Sequence, residues 1–249
     1  MRFPFSAPQQ SLGWTAVTGG PTSASYGSWT SLGTPTIDIE RFTLLISGTV
    51  RNTFIEIALG PTPGAGTTVL SNFWLPTPQT AVPMISPVLD IRIPAGIEVH
   101  ARIQTNATSQ PFSLCLDGEG ASPYVPAGFD RLENIGTFTN VTTFGAAGTL
   151  NSAWVEVVAA TLRPYSGLYL AAIGSGARTA QSLTVDLGAG ASGSERTLIT
   201  AAGLSSTSVS TVLGTRPYRS LIPAGTRIAM RANAVTTTDS ITFQAWGLC

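Results

Sequence analysis

The segments Ile93-Pro-Ala-Gly-Ile-Glu-Val-His-Ala-Arg-Ile103 and Ile222-Pro-Ala-Gly-Thr-Arg-Ile-Ala-Met-Arg-Ala232 carry the reading of the fold. Each opens on one tetrapeptide in which Pro94 or Pro223 fixes φ and Gly96 or Gly225 can take a positive φ, as a tight turn requires. After the turn the period is two. In Ile97–Ile103 the apolar positions alternate with Glu98, His100 and Arg102, which predicts a strand with one buried face. On that pattern His100 belongs to the polar face, as an ordinary surface histidine.

The two segments lie 129 residues apart, and the match extends without gaps from Ile93–Gly118 to Ile222–Gly247, with 7 identities in 26 positions. Beyond the tetrapeptide these include Arg102 with Arg231 and Gly118 with Gly247. The block at 47–60 aligns with 175–188 at an offset of 128, and Trp29 falls opposite Trp154 at an offset of 125. One internal duplication explains all three offsets with small loop changes. The expected organisation is an N-terminal arm over 1–12, a first repeat over 13–118, a linker over 119–135 and a second repeat over 136–249. Trp29 and Trp154 recur in both repeats, so core packing is the expected role of each.

Short runs rich in Val, Ile, Thr and aromatic residues follow the same alternation at 42–46, 54–59, 88–91, 154–158, 168–173, 183–187 and 241–245. Gly, Pro, Ser and Asn clusters separate them. The best helical candidate, Asp130–Ile135, is a single turn. The expected fold is therefore all-β: two tandem antiparallel β-sandwiches, jelly-roll-like, from the internal duplication.

Composition narrows function. Charged residues are 10% of the 249-residue chain, with 13 Arg, no Lys and 13 acidic side chains for a formal net charge of zero. A general nucleic-acid binder needs a cationic surplus to displace phosphate counterions, so nucleic acid is not an expected partner. No window of 18 apolar residues offers a membrane span. One His and two Cys leave almost nothing for a His/Cys metal site or a His-based triad.

Asp38 and Glu40 share one strand face, but nothing nearby completes an oxygen cage. The Gly-rich stretch 187–195 lacks the Gly-Lys-Ser/Thr ending of a phosphate loop, so it reads as a loop between strands. Glu56 and Glu98 are the least implausible carboxylate pair for glycan hydrolysis, yet neither is repeated. No enzyme, cofactor or metal is expected. Cys115 falls on the polar face of its strand and is expected to be reduced, as is Cys249. Trp14, Tyr26, Trp74 and Tyr124 do not recur and lie near turns, where exposed rings could contact a glycan or a partner protein.

At the repeated motifs the chain resembles structural proteins of tailed-bacteriophage particles. The second half carries the resemblance: Trp154-Val-Glu-Val, Val185-Asp-Leu-Gly-Ala-Gly-Ala-Ser-Gly-Ser-Glu195 and Ile222-Pro-Ala-Gly-Thr-Arg-Ile-Ala-Met-Arg231. The first half departs from it, with another loop in place of Gly-Ser-Glu and Glu98 where Arg227 stands. The resemblance implies a non-enzymatic virion component: a fibre, tail, neck or capsid-decorating surface protein. It would act as a homo-oligomer, by preference a trimer, among other virion proteins. The alternative is a carbohydrate- or receptor-binding adsorption module.

Overall fold

The computed structural model describes residues 7–22, 25–48, 53–75, 84–105, 108–123, 125, 127–136, 141–143, 153–174, 181–207, 210–211, 217–234 and 240–249. The chain divides into two compact units, Met1–Glu133 and Asn134–Cys249. The described residues form strands and turns, and none lies in a helix.

The first unit holds β1 (Gln9–Thr18), β2 (Thr30–Gly33), β3 (Ile39–Ser47), β4 (Thr53–Leu59), β5 (Thr67–Leu75), β6 (Met84–Ile85), β7 (Val99–Gln104) and β8 (Pro111–Gly120). One sheet has the order β1-β8-β3-β6 and the other the order β5-β4-β7-β2. The division between the units falls within β9 (Leu132–Ile135), whose Leu132 pairs parallel with Leu70. The second unit holds β10 (Val141–Thr143), β11 (Val155–Val158), β12 (Tyr165–Gly174), β13 (Gln181–Ala189), β14 (Arg196–Thr207), β15 (Ser210–Thr211), β16 (Tyr218–Ile222), β17 (Ile228–Ala234) and β18 (Ser240–Leu248). β10 and β12 pair with β18 and β16 with β12, while β11-β17-β13-β14-β15 make the other sheet.

With β15 set aside as an extension, the two units share one plan. β1, β2, β3, β4, β5, β6, β7 and β8 occupy the places of β10, β11, β12, β13, β14, β16, β17 and β18. Eight strands laid in two four-stranded sheets in this order are a jelly roll. The all-β sandwich expectation therefore holds, and the order of strands adds the topology that the sequence left open.

Alternation builds the cores. Phe42, Leu44, Leu114 and Leu116 are buried on one sheet of the first unit, and Ile55, Ile57, Val99 and Ala101 on the other. In the second unit Leu168, Leu170 and Phe243 of one sheet join Val185, Leu187 and Met230 of the other in a single hydrophobic cluster. Both turn glycines take the left-handed conformation, Gly96 at φ +75° and Gly225 at +76°. Their amides donate to the carbonyls of Pro35 and Thr161 respectively.

Several expectations need correction. β1 starts at Gln9, so Gln9–Leu12 of the expected arm belong to a sheet. The expected linker contributes the end of β8 at Glu119 and Gly120, and its one helical candidate is the strand β9. The run at 88–91 is not a strand; Leu89 and Ile91 make isolated bridges to Phe42 and Phe129.

The ungapped match of 47–60 to 175–188 is out by two residues. Glu56 stands opposite Arg102 and Asp186 opposite Arg231, so Glu56 corresponds to Asp186 and not to Thr184. A slip of two leaves every side chain on its original face, which is why hydrophobic phase alone could not expose it.

Candidate functional site

Each repeat carries an Arg clasp on the outer face of its β2- or β11-containing sheet. Arg102 on β7 donates through Nε to Glu56 Oε2 at 2.7 Å, and its guanidinium lies 4.6 Å from the Trp29 ring centre and 4.8 Å from that of Tyr26. Arg231 on β17 donates to Asp186 Oδ2 at 3.0 and 2.9 Å and lies 4.6 Å from the Trp154 ring. A planar cation between a carboxylate and an indole satisfies its donors and its face together. Trp29 and Trp154 are thus half-buried lids over arginines and not core residues. A Cβ on Gly188 would meet the Trp154 ring at 2.9 Å, so glycine lets that ring lie flat on the sheet.

The second unit adds a second lock. Arg227 donates through Nε to Glu156 at 2.7 Å and through Nη1 to Glu195 at 2.8 Å, and also reaches the Gly190 carbonyl at 3.2 Å. The hydrogen bond from Arg227 holds the Glu195 carboxyl below the usual glutamate range. The loop that superficially suggested phosphate binding is fastened by its own Glu195 to the strand next door. In the first unit Glu98 takes the place of Arg227 and accepts instead from the Ser31 hydroxyl.

The four aromatic candidates separate. Trp74 is 1% exposed and has no ring face for a ligand. Tyr26 is half-buried, its hydroxyl donating to Asn72 Oδ1 at 2.6 Å and its ring covered by Arg102. Burial, reinforced by Glu56, pushes its phenol well above the ordinary tyrosine range, with Arg102 opposing. Tyr124 lies outside the described residues. Among the described candidates Trp14 alone is open, at 54% exposure.

His100 is fully buried, with Nε2 at 3.0 Å from the Gly60 carbonyl, so it is not the surface residue expected. Cys115 is likewise buried, 3.1 Å from the Ser11 hydroxyl, although alternation put it on the polar face. Both point outward from the core, yet each is covered on that side, Cys115 lying between Trp14 and Leu45 of the flanking strands. Cys115 and Cys249 are free thiols. Asp38 accepts from the Ala95 amide and Glu40 from the Gly128 amide, so both carboxylates are held by backbone. Glu56 is committed to Arg102. Among the described residues no three His, Cys, Asp or Glu side chains gather where they could hold a metal ion, and no helix is long and apolar enough to cross a membrane.

What remains open on the first unit is the outer face of β1-β8-β3-β6. A recess of about 300 Å³ lies there, lined mainly by Gln9, Ser11, Arg41, Thr43, Asp117 and Glu119. The register places Trp14 beside Cys115, Cys115 beside Leu45 and Leu45 beside Ile85, an apolar row along one side of that recess. None of the recess residues was singled out by sequence. Their signal is a run of polar positions at every second residue, which any solvated sheet face also shows.

No protein-family model and no curated protein matches the chain. Among solved structures, the tandem CBM22-1–CBM22-2 domain of Paenibacillus barcinonensis Xyn10C is similar at 12% identity and TM-score 0.27, covering 99% of both chains. PNGase F, a glycosylasparaginase from Flavobacterium meningosepticum, is similar at 9% identity and TM-score 0.36, covering 94% of both. The Gx strain structure of infectious bursal disease virus is similar at 13% identity and TM-score 0.27, over 97% of this chain and 72% of that one. Likenesses this loose carry no argument about function.

Proposed function

We propose that the protein is a non-enzymatic structural component of a tailed-phage virion, working as an oligomeric surface protein among other virion proteins. The observation that carries this reading is the pair of edge strands β6 and β16, which hold the same place in the two jelly rolls. Each presents a large aliphatic side chain to water, Ile85 at 66% exposure and Leu221 at 84%. An edge strand with unpaired backbone groups and an outward apolar residue is a template for another chain unless charge guards it. Here the guard is thin, because β6 carries no charge and β16 only Arg219. The resemblance of the second half to phage structural proteins supports the same conclusion.

A closed homo-oligomer, a trimer by preference, is the expected assembly. Sedimentation equilibrium of the purified full chain should give a mass above the monomer, and the Ile85→Lys, Leu221→Lys double variant should shift it toward monomer. The protein should also co-sediment with particles lacking their own copy. A wild-type chain that stays monomeric and ignores particles would sink the proposal.

A further inference from the structure

The strand β1 departs from regular pairing at one place. Ser11 stands opposite Asp117 and Trp14 opposite Cys115, so Leu12 and Gly13 together face a single residue of β8. This is a β-bulge, and Gly13 supplies the left-handed conformation that it needs, at φ +77°. Its consequence is directional. With unbroken alternation after outward Ser11, the chain would turn Trp14 inward to the core; the extra residue turns it outward instead. A bulky apolar ring is thereby aimed at water by a backbone irregularity and left 54% exposed.

The ring stands one row from the recess. Asp117 and Cys115 are alternate residues on the same face of β8, about 7 Å apart along the strand. The recess offers hydrogen-bonding groups that the fold does not consume. The Gln9 amide, Thr43 hydroxyl and Asp117 carboxylate make no hydrogen bond within the described chain, and Glu119 uses only Oε2 in binding Arg41. The Arg41–Glu119 contact, at 2.8 and 2.6 Å, fixes both side chains before a ligand arrives. A recess of about 300 Å³ lies at the small end of the ~300–1,000 Å³ that ligand sites occupy.

We infer that this face binds a short neutral oligosaccharide, with Trp14 stacking on the apolar face of a pyranose ring and Gln9, Thr43, Asp117 and Glu119 bonding its hydroxyls. The ligand class follows from the chemistry. A sugar ring presents an apolar face and a rim of hydroxyls that both donate and accept, matching an indole beside carboxylates, an amide and a hydroxyl. Two carboxylates against one guanidinium make the recess anionic, which disfavours uronic and sialic acids. The site shares its face with Ile85 of the assembly reading but is argued from other residues, Trp14 standing on β1 at the opposite edge of the sheet from β6.

The test is calorimetric titration of the full chain with maltotriose, cellotriose, chitotriose and mannotriose, and with trigalacturonic acid and sialyllactose as acidic counterparts. The expected result is saturable binding of at least one neutral sugar. Trp14→Ala should weaken that binding by roughly tenfold or more. Asp117→Asn, at an exposed position, should weaken it as well, with thermal midpoint and oligomeric mass unchanged in both variants. Heats from none of the neutral sugars, undiminished binding in the two variants, or preference for an acidic sugar would each overturn the inference.

Discussion

Gly118 and Gly247 were matched as bare identities, and their surroundings explain both. A Cβ on Gly118 would lie 2.5 Å from the Ile39 side chain, and one on Gly247 2.4 Å from the Tyr165 ring. Each glycine leaves room for the residue at the equivalent place on the neighbouring strand, since Ile39 bridges Ile93 and Tyr165 pairs with Ile222. Gly247→Ala must displace a rigid, buried ring and should cost about 1–3 kcal/mol, as overpacking in a core does. Gly118→Ala should cost less, because part of the clash is with the movable end of an isoleucine. Urea titrations of the two variants give the comparison, and equal or negligible losses would contradict the packing argument. Arg102 and Arg231 were also visible as identities. Their partners were not, because the ungapped match set Glu56 against Thr184 where the sheet sets it against Asp186.

At the scale of elements, the two β-hairpin loops show how one plan diverges. In the second unit the loop between β13 and β14 is clasped through Glu195 and Arg227; in the first unit the loop between β4 and β5 has no such pair among the described residues. Glu195 is held below the usual glutamate range by that hydrogen bond. A folded-state pKa depressed below the unfolded value adds stability above the ordinary carboxylate range, and the gain disappears as pH falls through the folded pKa. The thermal midpoint of the wild type should therefore exceed that of Glu195→Gln at neutral pH. The gap should close under acid, below the ordinary glutamate value of about 4.3. A gap that is constant with pH would show that the carboxylate charge is not what holds the loop. The β1 bulge belongs to this scale too. Gly13 stands in the sequence as one glycine among 26, and only its register with β8 reveals that it redirects Trp14.

For the whole molecule, few charges and open apolar edges set the physics of association. If contacts form through Ile85 and Leu221, raising ionic strength should leave self-association unchanged or tighten it, since salt screens ion pairs and not apolar contacts. Sedimentation across a salt series measures this, and dissociation at high salt would point to a charged interface elsewhere. The all-β class, the duplication and the turn at each Ile-Pro-Ala-Gly were legible in sequence, because period-two alternation and the needs of proline and glycine are local properties of the chain. Alternation also named which residues point away from the core. It could not say whether those outward residues meet water, since His100 and Cys115 are covered, nor that the bulge at Gly13 turns Trp14 out of its alternating phase. Nor could it settle strand order, the true partner of Glu56 or the recess beside Trp14. Each of these depends on which distant segments are laid side by side, and register shifts by two are silent in any pattern whose period is two.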